Sequence, residues 1–537
     1  MQTSCPEKPN PVSGDIDRST DYDVVIIGGA FSGSSSAILL KRRFPDLKVL
    51  LVEKSEEFDR KVGESTSEVA GCFLTRVLKV GRHLAMKHVP KHGLRMWFHQ
   101  EGDNCPSKST ELGPSFQVRL PTFQLNRVTL DSHLLQQAVD LGCEIVRPAT
   151  IKDLTLGGAG KNSVVYKVKD GEAQEVSASW VVDASGKAAM IARRKKMWHS
   201  NVDQHPVNAM WTRFKNVSDL DCPKVVEAMG GLPHDINAQR GSATNHLMGY
   251  GWWSWIIPLD SGEVSVGLTW DERIFSPPKD GSMSERLKEH LLKHPVGKIM
   301  FEDAVAVEND NRYYKGIAYH SEETFGDGWS IVGDAAGFMD PLYSQGLDFC
   351  AHTVYSSYTT LRMHFSGECI KEEVMHRQGE FKRSYFHWFN ALYKDKYYYM
   401  GDAELMHAAF LLDIGTYFIG PVRLVYTMPD EEFSKLPYDG AAGTFFAKFM
   451  ALYNRRLVKL AKKKIAAGKY GNKNLEERFL VKGSFTPGPQ TMKLMFQGIR
   501  IWLLAELKFA FVKPSSAVTE EPSTVTPLPQ ARDYKQA

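Results

Sequence analysis

Asp23-Val24-Val25-Ile26-Ile27-Gly28-Gly29-Ala30-Phe31-Ser32-Gly33 decides the fold. Its first five residues are a nearly unbroken β-branched run, suited to a parallel strand buried on both faces. The glycine turn follows at once, and Ser32 to Leu40 reads as a helix of small and apolar residues. This is the strand–turn–helix context that a dinucleotide-binding fingerprint requires. Gly28 permits the tight turn. Ala30 stands where a second glycine commonly lets the backbone approach a pyrophosphate. Gly33 lets helix and strand pack closely. The helix start, with Ser32 in its first turn, offers unpaired N–H groups and a partial positive charge to phosphate.

Outward from this unit, Lys48-Val49-Leu50-Leu51-Val52 reads as a second strand ending in Glu53, twenty positions after Gly33. That is the spacing at which an acid reaches a ribose hydroxyl. No second glycine fingerprint follows a strand. Gly157-Gly158-Ala159-Gly160 lies between short alternating segments and reads as a hairpin turn. A separate NADPH domain is therefore not expected.

The bulk properties bound the rest. The 537 residues carry 66 Lys and Arg against 63 Asp and Glu, a net charge of +3, which gives no reason to expect nucleic acid. The basic runs Arg193-Arg194-Lys195-Lys196 and Lys462-Lys463-Lys464 read as solvated helix faces. Seven scattered cysteines without Cys-x-x-Cys argue against a disulfide framework or zinc site and fit a reducing cytoplasm. The most apolar stretch, His407 to Val422, is interrupted by Asp413, Gly415, Gly420 and Pro421, so no transmembrane segment is expected. Residues 1–21 and 515–537 read as disordered ends, and 366–514 as helical. Within that last region Met495 to Phe511 reads as an amphipathic helix. It packs on its own body in the simplest reading, with membrane contact or a carrier-protein surface as alternatives.

Further segments carry a resemblance. Gly63-Glu64-Ser65-Thr66, Gln124-x-x-Arg127, Val181-Val182-Asp183-Ala184-Ser185-Gly186 and Trp329-Ser330-Ile331-Val332-Gly333-Asp334-Ala335-Ala336-Gly337 occur in that order. Together they resemble the flavoprotein family that includes para-hydroxybenzoate hydroxylase. The resemblance implies an α/β fold: a Rossmann-like FAD-binding domain over 22–365 with an inserted antiparallel substrate sheet, at about 76–119 and 201–314, and the helical C-terminal region. It implies FAD as cofactor, with Asp334 on the ribityl chain and Arg127 against the cofactor. The full implied contact set is Gly28, Ala30, Ser32, Gly33, Glu53, Lys54, Glu64, Ser65, Arg127, Asp183, Gly333, Asp334 and Gly337. On its own, Asp334 also reads as a helix cap.

Gly251-Trp252-Trp253-Ser254-Trp255-Ile256-Ile257-Pro258 places Trp253 and Trp255 on one face of a strand, which alone explains them as covering residues. The Trp-x-Trp-x-Ile-Pro pattern also resembles that of flavin-dependent halogenases. Phe338-Met339-Asp340-Pro341-Leu342-Tyr343-Ser344-Gln345-Gly346 is similar to the same family's Phe-x-x-Pro-x-x-Ser-x-Gly. Lys91-His92-Gly93, with Phe98 beyond it, is similar to the lysine segment of the phenol and pyrrole halogenases; Lys87 is the rival lysine. The resemblance implies that reduced flavin and oxygen oxidise chloride or bromide held by backbone groups of Ser344, Gln345 and Gly346. A tunnel walled by Trp253, Trp255 and Pro258 leads the oxidised halogen to Lys91, which delivers it to an electron-rich ring. Such an anion site needs N–H donors and no competing carboxylate.

Three departures qualify the match: Ala30 for glycine, Gln345 for Ser or Thr, and Tyr343 where tryptophan halogenases carry a glutamate. The resemblance implies a small aromatic substrate, phenol- or pyrrole-like, free or tethered to a carrier protein, in secondary metabolism or antibiotic biosynthesis. It also implies a separate NAD(P)H-dependent flavin reductase. An FAD-dependent aromatic hydroxylase, a prenyl-chain reductase and a non-catalytic binding protein remain alternatives on the same fold.

Overall fold

The computed structural model describes residues 20–231, 239–482, 485–486 and 488–513. The expected disordered ends fall almost wholly outside these residues.

The glycine-rich segment forms the expected unit. Strand Tyr22–Ile27 leads into helix α1, Phe31–Arg43. Around them the main sheet runs in the spatial order 325–326, 329–331, 173–183, 22–27, 49–52, 144–146. All neighbours in that row are parallel except the edge hairpin 325–331. The register places Ile27 beside both Val52 and Asp183, and Asp183 beside Ile331. Four strands therefore end level, and the loops that leave them share one edge. A hairpin, 149–156 with 162–168, adds antiparallel strands and turns at Gly157–Gly160 as expected. Helix α2, Arg127–Asp140, and helix α3, Gly346–Phe365, pack on α1.

The second sheet has the order 305–306, 207–215, 264–271, 252–258, 244–249, 94–98, 110–114, 478–481. It is mostly antiparallel, with parallel pairs at 94–98/244–249 and 110–114/478–481. Residues 73–84 belong to the core beneath the main sheet instead, through Phe73, Leu74, Val77, Leu78 and Leu84. The edge strand Arg478–Val481 comes from the C-terminal region, which is therefore not wholly helical.

That region is built on helix α4, Ala403–Tyr417, which runs on through a π-helical turn containing Pro421 to Thr427. The stretch Ala403–Thr427 is long and apolar enough to cross a membrane, with mean hydropathy 1.4, but 72% of its apolar window is buried inside the protein. Helix α5 is Gly440–Ala466 and helix α6 is Pro489–Lys508. Close approach of α6 to α4 is allowed by two glycines. A Cβ at Gly498 would stand 3.1 Å from the Ala408 carbonyl, and one at Gly415 would collide with Met495.

The basic run Lys462-Lys463-Lys464 departs from expectation, for all three side chains are buried. Lys464 Nζ pairs with Asp402 at 2.7 Å and Glu404 at 3.0 Å, while Lys463 donates to the carbonyls of Phe509 and Ala510. Partners on other elements, invisible to a local charge count, turn this face inward. Arg193 to Lys196 are exposed as expected. Removing one member of a buried pair strands the other charge, at a cost of about 3–5 kcal/mol. Lys464→Ala should therefore lower the melting temperature sharply in a thermal denaturation scan. Arg194→Ala, which breaks the exposed pair with Asp153, should cost less than about 1 kcal/mol.

Candidate active site

The level strand ends build a cleft. Gly28 has φ +99°, and a Cβ there would stand 2.5 Å from the Ala184 carbonyl. Gly33 is held against the Gly28 carbonyl so closely that any Cβ would collide with it. α1 begins at Ala30 with no side-chain cap and no acid in its first turn, so its N-terminal amides stay open to an anion. The Glu53 carboxylate accepts from the Gly29 and Ser55 amides at 2.7 and 2.9 Å, which stiffens the turn. From 300 residues away Gly333, at φ +62°, closes on Ser32. Asp334 beside it has solvent-accessible surface although protein surrounds it; it lines the cleft rather than the outer surface. Burial raises its pKa, and Arg127 and Lys61 pull it down. Arg127 is held by Asp131 and by the Val62 and Gly63 carbonyls, with its guanidinium over Phe31. A glycine cradle, an uncapped helix start and a carboxylate opposing an arginine fit a dinucleotide with a polyhydroxyl chain.

Beyond Asp334 the chain turns through Phe338–Gly346 into α3. Ser344 sits in the left-handed region at φ +59°, and Gln345 N-caps α3 without a side-chain cap bond. The Gln345 amide oxygen instead accepts from Trp388 Nε1 at 2.6 Å and Tyr393 OH at 2.8 Å. A Cβ on Gly346 would meet only the Phe338 ring, at 3.4 Å. A cavity of about 20 Å³ opens here, lined by residues including Asp340, Gln345, Gly346 and Tyr393. It has room for about one water-sized particle.

The tryptophan strand is tied to this turn. Trp253 Nε1 donates to Tyr397 OH at 3.1 Å, and Tyr397 donates to Asp340 at 2.8 Å. Asp340 also faces His205 at 3.0 Å. The Trp253 ring lies 5.9 Å from Trp255 and 4.7 Å from His246. Trp255 Nε1 donates to Ser265, and Pro258 is partly exposed at the strand end.

Lys91 is buried and held at both ends. Its amide donates to the Thr122 carbonyl at 2.9 Å, Thr122 Oγ1 donates back to its carbonyl at 2.8 Å, and Nζ donates to the Thr66 carbonyl at 2.7 Å. Burial lowers its pKa to about 8, against the pull of Glu68 and Asp348. Burial first, and then the Lys91 cation, push His246 down to about 3, so that ring is neutral. Lys87 is exposed.

The FAD-binding-domain family matches residues 21–375. The Dictyostelium discoideum flavin-dependent halogenase chlA is 25% identical over 74% of this chain and 69% of its own length. Monodechloroaminopyrrolnitrin halogenase from Pseudomonas fluorescens is 26% identical over 63% and 61%. The chain belongs to the FAD-binding-domain family, and the relatives it resembles are flavin-dependent halogenases. The protein is a flavin-dependent oxidoreductase with FAD as its cofactor. Its fold is that of halogenase PltM in complex with phloroglucinol and FAD, with a TM-score of 0.66 at 17% identity over 91% of this chain and 98% of that one. A flavoprotein/dehydrogenase from Cytophaga hutchinsonii is also similar, with a TM-score of 0.60 at 18% identity over 80% and 99%, so the fold alone does not select the reaction.

Several residues expected at the cofactor also have partners within the protein. Asp183 caps the amides of Ser185 and Ile191. The Glu64 carboxylate pairs with Arg213, which also binds Asp310. Ser65 Oγ bonds Thr244 Oγ1 at 2.9 Å, and Lys54 is exposed. The helix that follows the Ser344–Gly346 turn carries a carboxylate that the sequence reading did not single out. Asp348 lies in the first turn of α3 and accepts from Ser67, the Ala70 amide and Tyr417. Burial raises its pKa to about 7. A single aspartate in a helix gives no sequence signal, and neither do His246 or Glu68.

A lysine whose folded pKa falls below its unfolded value contributes stability above the unfolded pKa and loses it as pH falls through the folded one. Lys91 therefore opposes folding below about pH 8. Lys91→Met should raise the melting temperature at pH 7, with the gap to wild type closing as pH is raised past 10.5. A destabilised variant at pH 7 would show that the ammonium is better compensated than its contacts indicate.

Proposed function

We propose that this protein uses reduced FAD, oxygen and chloride or bromide to halogenate an electron-rich aromatic ring of phenol or pyrrole type. A separate NAD(P)H-dependent reductase supplies the reduced flavin. The observation that carries the reading is Lys91: a wholly buried ammonium whose one hydrogen-bond acceptor among the described residues is a backbone carbonyl. Such a group is costly to keep and is free to donate to something else.

Bound reduced FAD supplies, with oxygen, the oxidant for the halide. The chain's own residues do the rest. Open amides at the start of α3 hold the halide beside the Phe338–Gly346 cavity. Trp253 and Trp255, fixed by Tyr397 and Ser265, exclude water along the way to Lys91. There the ammonium donates to the oxygen of hypohalous acid. The ring carbon takes the halogen from the hypohalous acid, and the ring proton leaves with its hydroxyl as water. Tyr343 leaves no glutamate at the turn, which favours phenols and pyrroles over free tryptophan. Relatives include a pyrrole-2-carbonyl carrier-protein chlorinase and tetracycline 7-halogenase, which supports a free or carrier-bound ring in secondary metabolism.

Lys91→Ala should retain FAD and consume oxygen, yet lose ~10²–10⁴-fold in halogenated product per reduced flavin. Lys87→Ala should match wild type. Product mass spectrometry over a panel of phenols and pyrroles reads both. Halogenation by Lys91→Ala at the wild-type rate removes the lysine from the reaction, and a hydroxylated product indifferent to halide replaces the reading with an aromatic hydroxylase. In wild type the yield should fall above about pH 8 as Lys91 loses its proton. A rise through pH 8 would identify the free amine as the acting form.

Asp348 gives a second pH dependence. Its carboxyl is neutral below about pH 7 and ionised above, with Glu68 and Lys91 as its charged neighbours. An ionised carboxylate in the first turn of α3 opposes an anion at that helix start. Bromide affinity, read from flavin absorbance, should weaken as pH rises through 7 in wild type and stay flat in Asp348→Asn. A bromide titration independent of pH in both proteins places the halide elsewhere.

A further inference from the structure

The outer face of the α5–α6 pair has no part in the reaction proposed above. On α6, Phe496, Leu503, Leu504, Leu507 and, just beyond it, Phe511 are exposed, Leu507 at 72% and Phe511 fully. They recur at helical spacing along one side of a helix 20 residues long, about 30 Å. On α5, Phe445 and Leu452 are exposed in the same way. The two helices run parallel: Tyr453 meets Trp502, Arg456 meets Glu506, and Lys463 reaches the Phe509 carbonyl, so contacts advance together along both. Phe445 thus lies near the level of Phe496, and Leu452 near that of Trp502 and Leu503. Two rows of large apolar side chains stand side by side in water. Soluble proteins rarely leave so long an apolar stripe uncovered without a use for it.

Charge says what covers it. Lys448, Arg455 and Lys459 are exposed on α5, and Lys493, Arg500 and Lys508 on α6. α5 contains no acidic residue. The one acid of α6, Glu506, is bound by Arg456 through both oxygens at 2.7 Å. The face is therefore apolar and cationic, with no free carboxylate. A second copy docked through the same face would set lysine against lysine with no acid to pair, which opposes self-association. An apolar stripe rimmed by Lys and Arg is the pattern of a helix lying in the plane of a lipid interface, where anionic headgroups meet the cations and acyl chains meet the leucines.

We propose that the outer face of α5 and α6 seats this protein on an anionic membrane surface. The helices do not span it, because their opposite faces are packed into the protein: Leu457 and Leu460 of α5 and Leu494 and Met495 of α6 are buried. Seated this way, the protein takes part of its working pool from solution to a bilayer, independently of which ring it acts on.

The test is co-sedimentation of the full-length FAD-loaded protein with phosphatidylcholine vesicles, with and without phosphatidylglycerol. Binding should require phosphatidylglycerol and fall on the order of tenfold or more as salt rises from about 0.1 to 1 M and the screening length shrinks from ~10 to ~3 Å. Leu504→Asp with Leu507→Asp, and separately Lys493→Glu with Arg500→Glu and Lys508→Glu, should abolish it while FAD content and circular dichroism stay unchanged. Because both substitutions lie on exposed positions, unfolding does not mimic the result. Three outcomes overturn the proposal: wild type left in the supernatant with anionic vesicles, binding to neutral vesicles of equal strength, or face variants that bind like wild type. A dimer broken by the leucine variants, without vesicle binding, assigns the face to a second copy. Vesicle binding gained only when residues 514–537 are removed assigns it to the chain's own tail. An acidic protein partner instead of lipid leaves all vesicles unbound.

Discussion

Four parallel strands that end in register are the constraint on which the site depends. Ile27, Val52, Asp183 and Ile331 stand level, so Gly28, Glu53, Ala184 and Gly333 leave the sheet at one edge although more than 300 residues separate the first from the last. Parallel strands can align this way only with crossovers packed on the sheet faces, and α1 supplies one by seating Gly33 directly on the Gly28 carbonyl. The close approach has two consequences. It points the open amides of α1 into the cleft, and it brings Ser32 against Gly333 so that Asp334 faces those amides from the opposite wall. The cleft is a product of backbone fit first. Its few polar side chains, Asp334 and Arg127, are then placed where little else fits.

The tryptophan strand, the turn before α3 and Lys91 hang from the same edge through a second kind of constraint, a chain of buried polar contacts. Asp340 follows Asp334 by six residues and receives Tyr397, which receives Trp253. That series ties the tryptophan strand of the second sheet to the turn before α3. Asp348, on the other side of the same turn, is tied through Ser67 to the segment whose Thr66 carbonyl holds Lys91. Buried polar groups are costly unless satisfied, so each link holds its neighbours to one geometry. The turn, the tryptophans and the lysine are positioned as a set.

What was legible in the sequence is what local chemistry determines. The strand–turn–helix, Glu53, the hairpin at Gly157–Gly160 and the Gly333-Asp334 segment each declare themselves within a dozen residues. Lys91 was legible as a candidate through its segment, but its burial was not, since Thr66, Thr122 and His246 come from elsewhere in the chain. The same reason explains the misreadings. Lys462 to Lys464 look solvated until distant partners are placed: Asp402 and Glu404, some sixty residues away, against Lys464, and the Phe509 and Ala510 carbonyls against Lys463. The strand Arg478–Val481 is four residues long and pairs with residues 110–114, too brief and too distant for any period to reveal. Glu64 and Asp183 lie in the right segments, yet their carboxylates are spent on Arg213 and on backbone amides. Sequence position located them near the cleft; only the three-dimensional structure could show the protein partners that hold them.

Two buried lysines near the turn show why position alone does not make a reactive group. Lys396 lies 2.5 Å from Asp413, a carboxylate that also receives Tyr343 and Tyr453. Its charge is neutralised at contact distance, and its N–H groups are directed at a fixed acceptor, so it serves to lock Tyr343 and the C-terminal helices against the turn. Lys91 is also buried but has no carboxylate within hydrogen-bonding distance among the described residues; Glu68 and Asp348 act on it only through space. Burial therefore lowers its pKa toward the working range, and its remaining N–H groups are uncommitted. Ion pairing makes a buried lysine structural, and withholding the partner makes it available for chemistry. This difference in compensation separates the two lysines, and it is why the delivery role proposed above falls to Lys91.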